Sequence, residues 1–257
     1  QYVVINKEDN VVVVGCYSTT LIPGTNDLRC KPKFLCHVEE INFNDTYIGI
    51  DSEDIQKIEY FDVKCHSFSD APKINLIISD MGTGKSYQVK EHFVKTNPHK
   101  CLILIPRIMF GQTLLPSLNE KVAELAKRGD SGDMFHLYNE FSVVQKKVVE
   151  NNRVICQMES LWRLKHNDYD TIYIDEIESC LATFSSSTMD KKRFLNVQKF
   201  TECMKNAKKI VFCDAHIGQR TIDCIQDMGF KKSEILIEKN TYQPNNRIAI
   251  KLPYTHK

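Results

Sequence analysis

From about residue 72 onward, short apolar runs alternate with longer amphipathic stretches. Ile74-Asn75-Leu76-Ile77-Ile78 and Cys101-Leu102-Ile103-Leu104-Ile105 are almost continuously apolar and end at polar or proline positions, the pattern of strands buried on both faces. Between them a helix is expected from about Gly84 to Thr96, closed by Asn97-Pro98. Pro106-Arg107 ends the second strand, and a helical stretch follows to about Lys127. Gly129 to Gly132 reads as a loop and Met134 to Tyr138 as a short strand. Val154 to Cys156, Thr171 to Ile174, Ile210 to Cys213, Glu234 to Ile237 and Ile248 to Leu252 complete the expected strands. Further helices are expected around Ser160–Leu164, just after Glu176, from about Lys191 to Asn206 and from about Ile217 to Met228, with Ser185-Ser186-Ser187 as a loop. Such alternation predicts an α/β fold: a mostly parallel sheet with helices on both faces and ligands at the carboxyl ends of the strands.

Residues 1–71 read differently. Val11-Val12-Val13-Val14 is β-branched, Pro23-Gly24 and Asn26-Asp27 punctuate turns, and no helical period develops. A small β-rich N-terminal module over residues 1–71, followed by an α/β lobe over 72–257, is the expected organisation. The start at Gln1, without Met, reads as a piece cut from a longer chain.

Composition narrows the function classes. At 257 residues and 42% hydrophobic content the chain can bury a sizeable core. With 34 basic against 33 acidic residues there is no global basic field, so any nucleic-acid contact must be local. The pairs Lys146-Lys147, Lys208-Lys209 and Lys231-Lys232 and the run Lys191-Lys192-Arg193 read as solvated helix ends. No apolar stretch has the length of a membrane span and no signal-peptide pattern opens the chain, so an intracellular site and no membrane partner are expected. Of the ten cysteines, Cys101, Cys156 and Cys213 fall in apolar runs as small hydrophobes, which fits reduced thiols. Cys30, Cys36, His37, Cys65 and His66 lack the close-paired spacing of structural zinc sites.

Two motifs carry chemistry. Ser79-Asp80-Met81-Gly82-Thr83-Gly84-Lys85-Ser86 follows the apolar run 74–78 without a gap, a strand entering a glycine-rich turn that ends in Lys-Ser. That arrangement wraps backbone N–H groups around a polyphosphate: Met81, Gly82, Thr83 and Gly84 form the cradle, Lys85 supplies a point charge and the Ser86 hydroxyl a Mg²⁺ ligand. Ser79 stands where the usual pattern has its first glycine. Downstream, Thr171-Ile172-Tyr173-Ile174 ends in Asp175-Glu176. A nucleotide hydrolase needs one carboxylate to hold hydrated Mg²⁺ and a second to orient the attacking water, roles that suit Asp175 and Glu176 in that order.

Taken together, these segments resemble a known family. Ser79–Ser86 matches the first helicase motif of superfamily 2, and Asp175-Glu176-Ile177-Glu178 is similar to its second. Cys213-Asp214-Ala215-His216 sits where that superfamily has Ser-Ala-Thr, with His216 in place of the threonine. Gln157-Met158-Glu159-Ser160-Leu161-Trp162-Arg163-Leu164, and Ser179, Leu181, Phe184 and Ser187-Thr188-Met189 after the acidic pair, resemble segments of the herpesvirus replication origin-binding helicases and their relatives in other large DNA viruses. The likeness covers about residues 72–250.

The resemblance implies a P-loop NTPase with a RecA-like fold, using ATP and Mg²⁺ to drive movement on nucleic acid, DNA favoured over RNA, in viral replication in the host nucleus or cytoplasm. It implies backbone-gripping contacts at Pro106, Arg107, Gln112, Thr113, Gln157, Glu159 and Ser160, and a coupling role for Glu178, Asp214 and His216. It also implies a second RecA-like lobe of the same polypeptide, for which the stretch after His216 is too short, so weak nucleotide binding and poor turnover are expected of this chain alone. A small-molecule or nucleoside kinase with a phosphate loop, an RNA helicase lobe, and a non-enzymatic module with a relict site are the alternatives. The nucleotide base and the oligomeric state are not legible.

Overall fold

The computed structural model describes residues 2–6, 11–15, 33–37, 58–130, 132–140 and 148–242, the first three stretches as backbone. The strand expected at Ile248 to Leu252, the turns at Pro23-Gly24 and Asn26-Asp27, Lys146-Lys147, Cys30 and the side chains of Cys36 and His37 lie outside the described residues. The chain divides into two compact units, residues 1–47 with 245–257, and residues 48–244.

In the first unit β1 (Tyr2–Asn6), β2 (Val11–Gly15) and β3 (Lys33–His37) form an antiparallel sheet in that order, with Val4 opposite Val13.

The second unit is built on an eight-stranded sheet. Its elements are β4 (Ile58–Phe61), β5 (Ile74–Ile78), α1 (Lys85–Thr96), β6 (Cys101–Ile105), α2 (Ile108–Lys127), β7 (His136–Leu137), β8 (Arg153–Gln157), β9 (Thr171–Asp175), α3 (Ile177–Ala182), α4 (Arg193–Asn206), β10 (Lys209–Asp214), α5 (Gln219–Asp227) and β11 (Ile235–Asn240). The strand order is β4-β11-β5-β10-β9-β6-β8-β7, and every pairing is parallel. The expectation of a mostly parallel sheet thus becomes an all-parallel one.

Period-two alternation decides the two faces. Ile74, Leu76 and Ile78 join Leu102, Leu104, Ile172 and Ile174 in a core closed by Ile177, Phe200 and Ile222 from α3, α4 and α5. Ile77, Ile103, Tyr173 and Val211 face the opposite way, onto Val89 and Phe93 of α1 and Leu114, Leu118 and Val122 of α2. Helices therefore cover both faces, and burying each such aliphatic chain contributes about 1.5–3 kcal/mol.

Two boundaries differ from the sequence reading. Ile58–Phe61, expected in the module ending at residue 71, pairs with β11 at the sheet edge, Ile58 opposite Ile237. The strand is short and only half buried, so its apolar pattern is weak and its partner lies far along the chain. The compact unit also ends at Pro244, short of the expected 257. The helix expected at Ser160–Leu164 is a 3₁₀ helix over Met158–Arg163.

Candidate functional site

The order of the central strands brings the carboxyl ends of β5, β10, β9 and β6 side by side. The loop after β5 turns through Gly82 at φ 79° and Gly84 at φ 94°, angles that favour glycine. Gly84 is the N-cap of α1, whose first turn carries no acidic residue, so the positive end of the helix is left for an anion. Lys85 Nζ donates to the Ser79 carbonyl and, at 2.9 Å, to the Asp80 carbonyl. The segment after β4 lies against this loop: the Cys65 N–H donates to the Thr83 carbonyl (3.0 Å), and the Cys65 carbonyl accepts from Gln88 Nε2.

Next to the loop stands the acidic pair. Ser86 Oγ donates to Asp175 Oδ2 at 3.2 Å across 89 positions of sequence. Burial pushes the Asp175 carboxyl up from the usual carboxylate range, opposed by the Lys85 ammonium and the Ser86 hydrogen bond. Glu176 takes the left-handed conformation (φ 52°) as N-cap of α3, a strained choice for a non-glycine residue and one found at functional sites. Met81, Gly82, Gly84, Lys85, Ser86, Asp175, Glu176 and Asp214, with Tyr87, Phe110, Ser179 and Ala215, line one cavity of about 440 Å³.

Behind it a hydrogen-bonded chain joins three strand ends. The Ser79 N–H donates to the Asp214 carbonyl (2.8 Å). The Asp214 carboxylate accepts from the Glu178 N–H (2.9 Å) and the His216 N–H (3.1 Å). The Glu178 carboxylate accepts from the Gly218 N–H (2.8 Å) and the Thr221 hydroxyl (2.6 Å), at the N-terminus of α5. Gly218 and Thr221 escaped the sequence reading; glycine is an accepted N-cap residue, but nothing local marks Thr221 as a partner of Glu178.

The residues expected to grip nucleic acid fall at neighbouring ends. Pro106, Arg107 and Phe110 line a second cavity, of about 200 Å³, together with Asp175 and Glu176. Gln112 and Thr113 are exposed on α2. Gln157 is engaged inside the protein, donating to the Pro106 carbonyl (3.2 Å) and accepting from Tyr138 Oη (2.5 Å). Glu159 accepts from Thr188 Oγ1 (2.6 Å), and Ser160 is half-buried.

The donors suit magnesium. A serine hydroxyl and a carboxylate are hard oxygen ligands, and their 3.2 Å separation approaches the edge of an octahedral Mg²⁺ shell, about 2.9 Å. Among the described residues no group of three or more His, Cys, Asp or Glu could hold a metal ion. Cys65 Sγ faces the Gly84 backbone, and His66 bonds Glu238 Oε1 at 2.7 Å. Among the described residues no helix is long and apolar enough to cross a membrane.

The model of the family described as origin of replication binding protein matches residues 41–245. The chain belongs to this family. One relative, the replication origin-binding protein of human herpesvirus 6A (strain Uganda-1102), is 30% identical over 182 residues, covering 68% of this chain and 21% of the relative. An uncharacterized putative helicase, R8, of Acanthamoeba polyphaga mimivirus is 28% identical over 65% of this chain and 16% of its own length. The chain thus spans about a fifth or less of the length of these relatives. Among solved structures, a DEAD box protein from Methanococcus jannaschii overlays with a TM-score of 0.46 at 13% identity, over 66% of this chain and 46% of that one.

Proposed function

We propose that this member of the origin-binding family is the ATP-binding first lobe of a superfamily 2 helicase or translocase, coupling Mg-ATP hydrolysis to DNA unwinding in viral genome replication. The observation that carries the reading is the convergence of Lys85, Ser86, Asp175 and Glu176 on one cavity, with Ser86 and Asp175 in hydrogen-bond contact. In this reading the loop N–H groups and Lys85 hold the β- and γ-phosphates, and Lys85 exchanges the carbonyls of Ser79 and Asp80 for phosphate oxygens. Ser86 and Asp175 hold Mg²⁺, which when bound neutralises phosphate charge. Glu176 orients the attacking water and takes its proton.

The chain from Ser79 through Asp214 to Glu178 and α5 gives nucleotide state a physical route to the far side of the sheet, with Asp214, Glu178 and His216 as its joints. Pro106, Arg107, Gln112, Thr113, Glu159 and Ser160 supply the track, Gln157 setting the backbone of Pro106 from behind. A second RecA-like lobe of the longer polypeptide would complete the site with an arginine finger, worth roughly 10³–10⁵ in rate. DNA is favoured over RNA because the relatives are named for origin binding.

The test has two arms. Lys85→Ala in this chain should abolish binding of fluorescent Mg-ADP. In a polypeptide that includes the second lobe, Glu176→Gln should bind ATP and lose turnover stimulated by single-stranded DNA; preserved hydrolysis would sink the assignment.

A further inference from the structure

We infer that Asn240, at the end of β11, is a positioning residue for the phosphate loop, acting through a directed chain of buried hydroxyls; the inference rests on the nucleotide-site reading above. Asn240 Nδ2 lies 3.0 Å from Ser79 Oγ and 3.3 Å from the Val63 carbonyl, while its Oδ1 accepts from the Tyr242 N–H at 2.9 Å. A carbonyl only accepts and an N–H only donates, so the amide has one orientation and must donate to Ser79. Thr83 Oγ1 donates its single proton to the Asp80 carbonyl at 2.7 Å. The 2.6 Å contact between the two hydroxyls is then donated by Ser79. Every proton in the run Asn240 to Ser79 to Thr83 to the Asp80 carbonyl points the same way.

Burial gives the run its force. Ser79 is 3% exposed, Thr83 2% and Asn240 9%, so a member that loses its partner finds little water to replace it. Its end point matters most. The Asp80 carbonyl is one of the two that Lys85 also holds. Once Lys85 turns to phosphate, the Thr83 hydroxyl keeps Asp80, and with it the cradle, in shape. Asn240 touches no phosphate position; it lets Thr83 spend its proton on the loop.

The experiment measures binding of fluorescent Mg-ADP to the whole chain. Asn240→Ala should weaken affinity about tenfold. Asn240→Asp, nearly isosteric, should weaken it at least as far near pH 8, because a carboxylate cannot donate and draws the Ser79 proton away from Thr83. Relative to the unsubstituted chain at each pH, the Asn240→Asp defect should shrink on acidification toward about pH 5, because burial at this 9% exposed position raises the new carboxyl above its ordinary value of about 3.9, while the Asn240→Ala defect stays flat. Ser79→Ala breaks the run one step later, and combined with Asn240→Ala should cost no more than the larger single loss. Should Asn240→Ala fail to fold by circular dichroism, Asn240→Asp and Ser79→Ala carry the test. Binding by folded Asn240 variants at the level of the unsubstituted chain, alongside loss in Lys85→Ala, would overturn the role of Asn240 alone. Absence of binding by the unsubstituted chain would overturn the nucleotide reading itself.

Discussion

Gly84→Ala should be costly for two separable reasons. The residue sits at φ 94°, where a side chain costs about 1–2 kcal/mol of backbone strain. A Cβ built there would also collide with Cys65 Sγ. The sulfur cannot retreat with its backbone, because the Cys65 N–H is bonded to the Thr83 carbonyl at 3.0 Å and its carbonyl to Gln88. Overpacking of this kind costs about 1–3 kcal/mol, so the variant should lose about 2–5 kcal/mol in urea denaturation. Trimming the sulfur separates the two causes. With Cys65→Ala the nearest atoms to the new Cβ are the Cys65 Cα and Cβ positions, both at 3.5 Å, an ordinary contact. The double variant should therefore recover the packing share and keep the backbone share. A cycle in which the two changes add within about 0.5 kcal/mol would refute the contact, and with it the placing of the 62–66 segment over the glycine-rich loop.

Two further outcomes are expected. Burial and the Lys209 ammonium, against a weaker pull from Asp70, hold the His92 imidazole below its ordinary 6.5. The unfolded chain then takes up a proton before the folded one, so stability should fall as pH drops below about 6.5, and melts of His92→Gln across that range should show a flatter profile. Glu178→Ala removes the acceptor of the Gly218 N–H and the Thr221 hydroxyl and should cost about 1.5–3 kcal/mol in thermal or urea unfolding; an unchanged midpoint would remove Glu178 from the capping of α5.

What the sequence made legible was whatever is local and periodic. Ile74–Ile78 and Cys101–Ile105 were readable to the residue because strands buried on both faces are continuous apolar runs with abrupt ends. Lys85 and Asp175, which line one cavity, were legible as candidates because a glycine-rich turn and a strand-end acidic pair are each defined within a few residues. Contacts made by single residues far apart in sequence were not. Ile58–Phe61 belongs to the sheet only through β11, and nothing near Cys65 advertises that its sulfur roofs Gly84. Gln157 shows the opposite case: its family segment was recognisable, yet its side chain is spent on Tyr138 and Pro106, a pairing only the fold reveals.

The departure at Ser79 is explained by the same distinction. A tight loop needs glycine where its backbone turns to positive φ, and here those positions are Gly82 and Gly84, at 79° and 94°. Ser79 is not among the described residues with positive φ, so glycine has no conformational advantage there. What the position offers instead is a place beneath the loop, 3% exposed, between Asn240 and Thr83. A glycine would leave the Thr83 hydroxyl without its donor and the Asn240 amide with one acceptor fewer, both where solvent hardly enters. The serine therefore reinforces the glycine-rich loop: it replaces a flexibility the backbone does not use with a hydrogen bond that ties the loop to the last described strand of the sheet.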